Sequence, residues 1–454
     1  MTTDGYAVQD RRVLPLPSAA AARLRGDGTN PAGWVSAQKV MCGLLVVLLG
    51  ARLRVLPGVS PAVLVALLLL PIWVRRASTY RYAVVLGATF WVAIASGLWL
   101  SGTAHAFHVV SRMNALLEAG TLVGTAVTAG FLLWARSILP SWLVGALYGG
   151  GLLLSVRTDG NYSVSPWRFG FATPVTVIAL SLALRTGRRW VEVLAACALA
   201  AASVVAGGRS PAAVLVLVAV LVLWQHLPPA RSRRTASARV ALTFGAVGYA
   251  TYVLGQAAIL DGVLGEAARD RTQLQLQQSG NLFVGGRPEM AATLALIRHF
   301  PLGFGLGVAP NSSEILVAKE GLAGIHYNPN NGYVESYMFG TSFVLHSNLG
   351  ELWAWLGLPG LLLGAVVLVV VSARTISAVS AREASALFLF PALLTIWNLF
   401  FSPTLTSASI AALCLGFVLD RRPRAAPVIS PASGPPARAI MTATPAGRTL
   451  DGTA

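Results

Sequence analysis

The stretch "HSNLGELWAWLGLPGLLLG", residues 346–364, begins with three polar residues and then becomes almost wholly apolar. It opens one of a series of apolar blocks, each roughly 16–24 residues long, which is enough to cross a bilayer as a helix. Because hydrocarbon offers no partner for backbone N–H and C=O groups, such blocks must satisfy them internally as helices. The sequence therefore predicts an all-α polytopic membrane protein.

The composition supports this prediction and narrows the classes of function. Of the 454 residues, 55% are hydrophobic and 11% are charged, whereas about a quarter are charged in a soluble domain. The net charge of +17 is explained mostly by Lys and Arg in cytoplasmic loops, so no nucleic-acid partner is expected. Cys42, Cys197 and Cys414 all lie inside apolar blocks, which indicates neither a disulfide framework nor a metal site, and no cofactor is expected.

The apolar blocks define twelve candidate spans, and the positive charges orient them. With the N-terminus inside, the cytoplasmic side receives 23 of the 34 Lys and Arg and the outside 11, whereas the reverse topology breaks the positive-inside rule at almost every loop. Arg52 and Arg54 are local exceptions, which we expect to snorkel from a short first hairpin. The predicted spans are 40–56, 58–74, 82–100, 114–134, 138–156, 170–185, 190–207, 211–227, 240–260, 347–372, 384–400 and 403–419.

These spans divide the chain into five parts. The predicted parts are a disordered cytoplasmic tail at 1–38, spans one to nine over 39–260, an extracytoplasmic loop at 261–346, spans ten to twelve over 347–420, and a disordered cytoplasmic tail at 421–454. Both termini are predicted to be cytoplasmic, and the protein is predicted to cross its membrane many times.

The outer loop at 261–346 is far longer than the other loops, and long loops in compact proteins are usually functional or disordered. Its segment "RPEMAATLALIRHF" (287–300) predicts a short helix with Pro288 in the first turn and a stripe of Met290, Leu294 and Ile297. We expect this helix to lie against the membrane surface or the bundle. The following "PLGFGLG" (301–307) predicts a tight glycine-rich turn.

Three basic or titratable residues lie at the outer interface in this topology: Arg209 in "GGRSPAA", Arg287 in "GGRPEM", and His346 at the start of span ten. Arg offers a planar fork of donors to phosphate oxygens, and the start of the loop helix adds free N–H groups. Histidine is the side chain most easily used as a base near neutral pH. If these residues converge, they suit attack on a sugar whose leaving group is a lipid diphosphate.

Each of these residues also has a purely structural interpretation. An interfacial Arg often snorkels to lipid headgroups, and a His at a helix start is often a hydrogen-bonded structural residue. Glu351 lies about 7.5 Å deeper than His346 and about 140° around the helix, so the two do not form a simple acid–base dyad. A carboxylate at membrane depth needs a partner, which we expect to be an Arg or a hydroxyl on a neighbouring helix.

Three stretches together resemble the O-antigen ligase and polysaccharide polymerase family: "GGRSPAAVLVLVAVLVL" (207–223), "GGRPEMAATLALIRHFPLGFGLG" (285–307) and "HSNLGELWAWLGLPGLLLG" (346–364). The resemblance covers roughly 190–420. It implies a glycosyltransferase with a GT-C-like fold that needs no metal. Such an enzyme passes a glycan from an undecaprenyl-diphosphate-linked donor to an acceptor glycan, lipid or protein at the outer face of the membrane.

The resemblance also implies roles for individual residues. Arg209 and Arg287 would hold the diphosphate, His346 would be the catalytic base, and Asn348 and Glu351 join the arginines as candidate substrate-binding residues. The chain departs from the family pattern at two places: Ser347 separates His346 from Asn348, and the first arginine stands in Gly-Arg-Ser-Pro, where Ser-Arg-Gly is more usual.

Other functions stay open at this point. A transporter or a flippase for lipid-linked oligosaccharides would usually show internal repeats or broken helices with polar residues near the bilayer middle, and no repeating halves are evident. A membrane scaffold would not need these outer residues. No Asp-X-Asp is seen on the predicted outer face and no His-Glu-X-X-His occurs, which disfavours a metal-dependent glycosyltransferase and a metallopeptidase.

Overall fold

The computed structural model describes residues 31–53, 57–158, 160–226 and 287–421, together with a few separate positions between 238 and 273. The predicted ninth span at 240–260 lies almost wholly outside the described residues, as do the first part of the long loop and most of both predicted tails. The first helix already begins at Pro31, so residues 31–38 belong to a helix and not to the predicted tail.

The described residues are helical and form no strand beyond two isolated bridges, Tyr80–Arg421 and Val110–Val308. Three shorter turns of other helix types occur at Gly160–Ser163, Trp167–Phe171 and Tyr333–Phe339. The α-helices are α1 Pro31–Ala51, α2 Pro61–Leu68, α3 Leu70–Ala77, α4 Ala83–Ala104, α5 Arg112–Ala135, α6 Ser141–Leu154, α7 Ala172–Arg185, α8 Arg189–Val205, α9 Arg209–Trp224, α10 Glu289–His299, α11 Ser312–Ala323, α12 Asn348–Ser380, α13 Ala386–Phe401 and α14 Thr404–Val418.

Four helical segments in the described part of the chain are long and apolar enough to cross a membrane: α4, α5, Trp167–Arg185 and α12. Five further apolar helices are shorter, namely Ser36–Ala51 of α1, α6, α9, α13 and α14. Large apolar side chains are exposed along α1, α4 and α12, as expected for helices that contact lipid. The helical, membrane-embedded class predicted from the sequence agrees with this architecture.

The predicted second span, 58–74, is two short helices and not one. Each of α2 and α3 has 8 residues, so each is about 12 Å long and neither crosses a bilayer alone. The chain bends at Leu69, and Pro71 stands in the first turn of α3, where its missing N–H costs little. The hydropathy of 58–74 thus identified an apolar segment correctly but gave no sign of its bend.

The two ends of the bundle differ in chemistry. At one end, here called the basic end, Arg136 donates to the carbonyls of Gly416 and Phe417 at the end of α14, and Arg374 pairs with Asp420. At the other end, here called the loop end, α4, α5, α12 and α14 meet the segment 287–347. There Ser101 donates to the carbonyl of Leu306, and Ser347 donates to the carbonyl of Leu399 at the end of α13.

Candidate functional site at the loop end

Helix α10 forms where the sequence predicts it, and of the two placements expected for its apolar stripe, the membrane surface and the bundle, the structure does not place the stripe on the bundle. Its buried residues are Glu289, Ala292, Thr293 and Leu296, while Met290 and Leu294 of the predicted stripe are 40% and 52% exposed. Helix α10 packs on α11, which begins with a capping box at Asn311 and Glu314. The exposed apolar face of α10 suits contact with a membrane surface, and the polar Glu289 points inward.

The turn after α10 fixes the loop to the bundle. The backbone N–H groups of Phe304 and Gly305 donate to the carbonyl of Ala354 in α12, and that of Gly307 donates to the Glu118 carboxylate in α5. Gly305 has φ of 111°, and a Cβ there would come within 2.5 Å of the Ser101 backbone nitrogen. A residue with a side chain cannot replace it without moving α4. The predicted glycine-rich turn therefore forms, and it inserts between helices.

Helix α12 is broken where the turn enters. Gly357 has φ of 69° and ψ of −156° inside the helix, and Pro359 follows in the same "LGLPGL". The carbonyl of Leu302 lies 2.6 Å from where a Gly357 Cβ would be, so the turn packs directly against the break. The predicted tenth span is thus a longer helix in two parts, because the loop occupies the space that a straight helix would need.

His346 stands just before α12 in a left-handed backbone conformation, with φ of 52°. Its ring stacks on Tyr337, with the ring centroids 4.2 Å apart. The ring Nδ1 lies 3.1 Å from the carbonyl oxygen of Val344, and because a carbonyl can only accept, Nδ1 carries the hydrogen. This tautomer leaves the Nε2 lone pair available to take a proton.

The structure brings Arg287 to the same place. Burial lowers the pKa of His346 below its ordinary value, and the Arg287 charge lowers it further, whereas Glu289 and the Val344 carbonyl raise it. The guanidinium carbon of Arg287 lies 5.6 Å from the centre of the Phe401 ring. Within the described part of the chain, no side-chain hydrogen bond or ion pair holds this guanidinium. Two of the residues singled out in the sequence, Arg287 and His346, therefore share one site.

Two tyrosines and a carboxylate complete this cluster. Tyr333 donates to Glu289 Oε1 at 2.5 Å, and its ring lies 4.9 Å from that of Tyr337. Burial and the nearby Glu289 raise the pKa of both tyrosines, so both stay protonated at neutral pH. The second oxygen of Glu289, Oε2, is buried and accepts no hydrogen bond from the described residues. The cluster thus combines a neutral imidazole, a cation, a carboxylate and two aromatic faces.

Asn348 and Glu351 are turned away from this cluster toward α14. Asn348 Oδ1 accepts hydrogen bonds from Ser407 Oγ and Thr404 Oγ1, and Glu351 Oε2 accepts from the Thr404 backbone N–H at 2.7 Å. Glu351 is 1% exposed, and the backbone N–H groups of Leu345 and His346 also face its carboxylate. Its hydrogen-bond partner among the described residues is therefore the start of α14, while its other oxygen, Oε1, is buried and accepts no hydrogen bond from these residues. The assignment of both residues to substrate binding stays a prediction.

Arg209 also lies at the loop end. It is exposed and begins α9, which packs against α13. Gln225, just after α9, donates to the carbonyl of Ala384, just before α13, so these two helices run antiparallel. Both helices have 16 residues, about 24 Å, which puts Arg209 at the same end as Phe401.

A further arginine, which the sequence did not single out, lies between the His346 cluster and the hairpin that carries Arg209. Arg168 is exposed in the turn Trp167–Phe171, and its charge lowers the pKa of Tyr337. The same turn is tied to the hairpin that carries Arg209, because Trp167 Nε1 donates to Ser203 Oγ and Ser165 Oγ donates to the Ala206 carbonyl. Arg168 was overlooked because a single arginine in "SPWRFGF" has no motif around it.

Other site residues were missed for related reasons. Tyr333 and Tyr337 are four residues apart in "YVESY", a spacing that places two rings on one face of a helical turn. Glu289 was read only as part of a helix start. The i, i+4 spacing was a usable signal for the tyrosines, but nothing in the sequence indicates that they face His346.

Comparisons with known proteins add no relative. No protein-family model, no curated protein and no solved structure matches this chain. The resemblance to O-antigen ligases and polymerases therefore rests on the three sequence stretches, and the geometry of the site is the remaining evidence for its role.

Proposed function

We propose that this protein is a metal-independent membrane glycosyltransferase that transfers or polymerises a glycan from an undecaprenyl-diphosphate-linked donor. The single observation that carries the proposal is the placement of a neutral His346, with Nε2 free, beside Arg287 at one end of an apolar helical bundle. A base and a cation at that position suit a reaction in which a hydroxyl attacks and a diphosphate leaves.

In the proposed reaction, His346 Nε2 takes the proton from the acceptor hydroxyl as its oxygen bonds to the first sugar carbon of the donor. The bond from that carbon to the diphosphate oxygen breaks, and the diphosphate leaves with the electron pair. Arg287, with Arg168 and Arg209 at the same end, stabilises the negative charge on the leaving group. The Val344 carbonyl holds the imidazole in its tautomer, and the stacked Tyr337 ring holds its orientation.

The proposal includes a topology. The twelve-span arrangement would require that the short apolar helices also cross the bilayer and that the undescribed region near 240–260 supplies one more span. Both termini would be cytoplasmic, because the basic end collects the arginines of the predicted inner loops, such as Arg136 and Arg374. The loop end, with His346, would then face outward in a GT-C-like arrangement.

A transporter or flippase is the competing function, and the break in α12 is the feature that bears on it. Broken helices in transporters expose free backbone groups to a substrate or ion path. Here the break at Gly357 is filled by the turn at 301–307, which packs against it at the Leu302 carbonyl. The break thus serves to seat the loop, which supports the transferase over the transporter.

The test is a transfer assay with the purified full-length protein, a lipid-linked oligosaccharide and EDTA. We expect product to form in the presence of the chelator, and its length to separate polymerisation from ligation. Transport of the lipid-linked substrate across vesicles without any new glycosidic bond would refute the proposal in favour of a flippase. The absence of both activities with every donor and acceptor tried would contradict it as well.

A further inference from the structure

A polar cavity lies inside the bundle, away from the His346 cluster. About 390 Å³ of space between α1, α2, α5, α6 and α14 is free of protein atoms, and part of this space is open to the surroundings. Arg52 is the basic residue of its lining, and the hydroxyl groups come from Ser60, Thr121, Thr125, Thr128, Tyr148 and Ser409. A polar cavity among membrane helices is costly unless something satisfies its polar groups.

Arg52 points into this cavity, although the sequence predicted that it would snorkel to the interface. Its Nη1 donates to Ser409 Oγ at 2.8 Å, and its backbone has φ of 47°, a strained conformation for a residue with a side chain. Within the described part of the chain, no carboxylate forms an ion pair with it. The guanidinium is thus held in place by one neutral hydroxyl, and its remaining positive charge is not balanced by these residues.

A second, independent observation that points to a ligand is the unpaired hydroxyl group of Thr121. This residue is 1% exposed, lines the cavity, and its Oγ1 has no hydrogen-bond partner among the described residues. A buried hydroxyl without a partner costs free energy, which a bound ligand or water would recover. Glu118, one turn before Thr121 on α5, accepts a hydrogen bond from the Gly307 backbone N–H but none from the Thr121 hydroxyl.

The available donors define the ligand. The hydroxyl of Ser60 accepts from the Val63 N–H and so keeps its own hydrogen to donate, as does the unpaired Thr121. One guanidinium fork with several hydroxyl donors and no carboxylate among the lining residues suits a tetrahedral oxyanion. Ser409 is five residues into α14, about 7.5 Å from the loop end, which is near the depth of lipid headgroups if that end lies at the membrane surface.

We propose that this cavity binds a phosphate group, held by Arg52, Thr121 and Ser409. The group comes either from inorganic phosphate or from a lipid headgroup. This site does not depend on the proposed transferase activity, since it lies among different helices and its test needs no turnover.

The test measures binding to the purified full-length protein in a maltoside detergent, which contains no phosphate. One arm titrates radiolabelled orthophosphate by equilibrium dialysis. The other compares retention of phosphatidic acid with that of diacylglycerol, which has the same tails and no phosphate, by native mass spectrometry. Saturable orthophosphate binding identifies a soluble ligand, and selective retention of phosphatidic acid identifies a lipid.

We expect Arg52→Gln to weaken whichever binding is seen by about tenfold or more, since it removes a charged donor. Arg112→Gln is the matched control, because Arg112 is exposed at the start of α5 and loses the same charge. It should bind within about twofold of the unchanged protein.

Thr121→Val keeps the shape of the side chain and removes the unpaired hydroxyl. We expect it to weaken binding about three- to tenfold and, without ligand, to make the protein more resistant to heat. If Arg52→Gln does not fold, Thr121→Val and Ser409→Ala decide the question. Absence of saturable binding to the unchanged protein, or wild-type affinity in folded Arg52→Gln or Thr121→Val, would show that the cavity holds water alone.

Discussion

The two ends of the bundle contain the same residue type in opposite situations. At the basic end, Arg136 gives its hydrogen bonds to carbonyls at the end of α14 and Arg374 pairs with Asp420. At the loop end, Arg287 lies over the Phe401 ring, and neither its guanidinium nor that of Arg168 donates a hydrogen bond within the described part of the chain. The guanidinium groups at the basic end are therefore bonded within the fold, whereas we propose that those at the loop end bind a ligand.

This difference teaches that the charge of a residue does not reveal its role. Carbonyls at helix C-termini lack partners within the helix, so an arginine that reaches them is structural. At the loop end the helix termini are satisfied in other ways: Ser347 donates to the Leu399 carbonyl, and Glu351 accepts the Thr404 N–H. The loop-end cations are therefore not needed to complete the helices.

The largest effect should come from His346→Ala. Removing the base is expected to lower the rate of glycan transfer by about 10²–10⁴-fold while leaving the protein inserted and folded. His299→Ala is the matched control, because His299 is exposed at the end of α10 and its ring bonds to the carbonyl four residues earlier. The measurement is turnover of a lipid-linked oligosaccharide. Equal rates in both variants would remove His346 from the catalytic role.

Arg287→Lys tests the loop-end half of the comparison. A lysine keeps the charge but loses the planar fork, so transfer should fall by about 10–100-fold while thermal stability stays unchanged. Arg298→Lys, at the exposed end of α10, should change neither quantity. A loss of stability in Arg287→Lys with normal activity would mean that this arginine is structural after all.

Arg136→Met tests the basic-end half. This change leaves the carbonyls of Gly416 and Phe417 without the guanidinium donor and should cost about 1–3 kcal/mol of stability, with no change in the rate per folded molecule. The measurement is the half-life of the folded protein in detergent at a fixed high temperature, read beside the transfer rate. Loss of activity with an unchanged half-life would contradict a purely structural role for Arg136.

The smallest effect is a shift in pH dependence. Since the base must be neutral, the transfer rate should rise with pH through the depressed pKa of His346, so that the midpoint of the rise lies below the ordinary value of 6.5. Glu289→Gln removes a charge that raises this pKa, so the rising limb should move to lower pH. Arg287→Gln removes a charge that lowers it, so in the residual activity of that variant the limb should move to higher pH. Shifts in the same direction for both variants would contradict the placement of Glu289 and Arg287 near His346.

Much of the fold could be predicted from the sequence. The features that could not be predicted were missed for one common reason. Hydropathy located the helices, and the short helix with its glycine-rich turn was recognised in "RPEMAATLALIRHFPLGFGLG". The break at Gly357 and the bend at Leu69 were not predicted, because hydropathy measures how apolar a segment is and not what packs beside it. For the same reason, the apolar stripe on α10 left two placements open, the membrane surface and the bundle, since an apolar face can meet lipid as well as protein.

For the candidate site, the sequence by itself determined the residue types and grouped them: two arginines and a histidine in segments predicted to lie at one side of an apolar bundle. Only the tertiary structure decided which of them meet. It placed Arg287 beside His346, added Arg168, Glu289 and Tyr337, and turned Asn348 and Glu351 toward α14. The physical reason is that hydropathy and charge act along the chain and set depth and side, whereas contacts between segments far apart depend on packing. Glu351 shows this directly. Its position on α12 excluded a dyad with His346, but the sequence could not identify its partner, Thr404, because that residue lies on another helix.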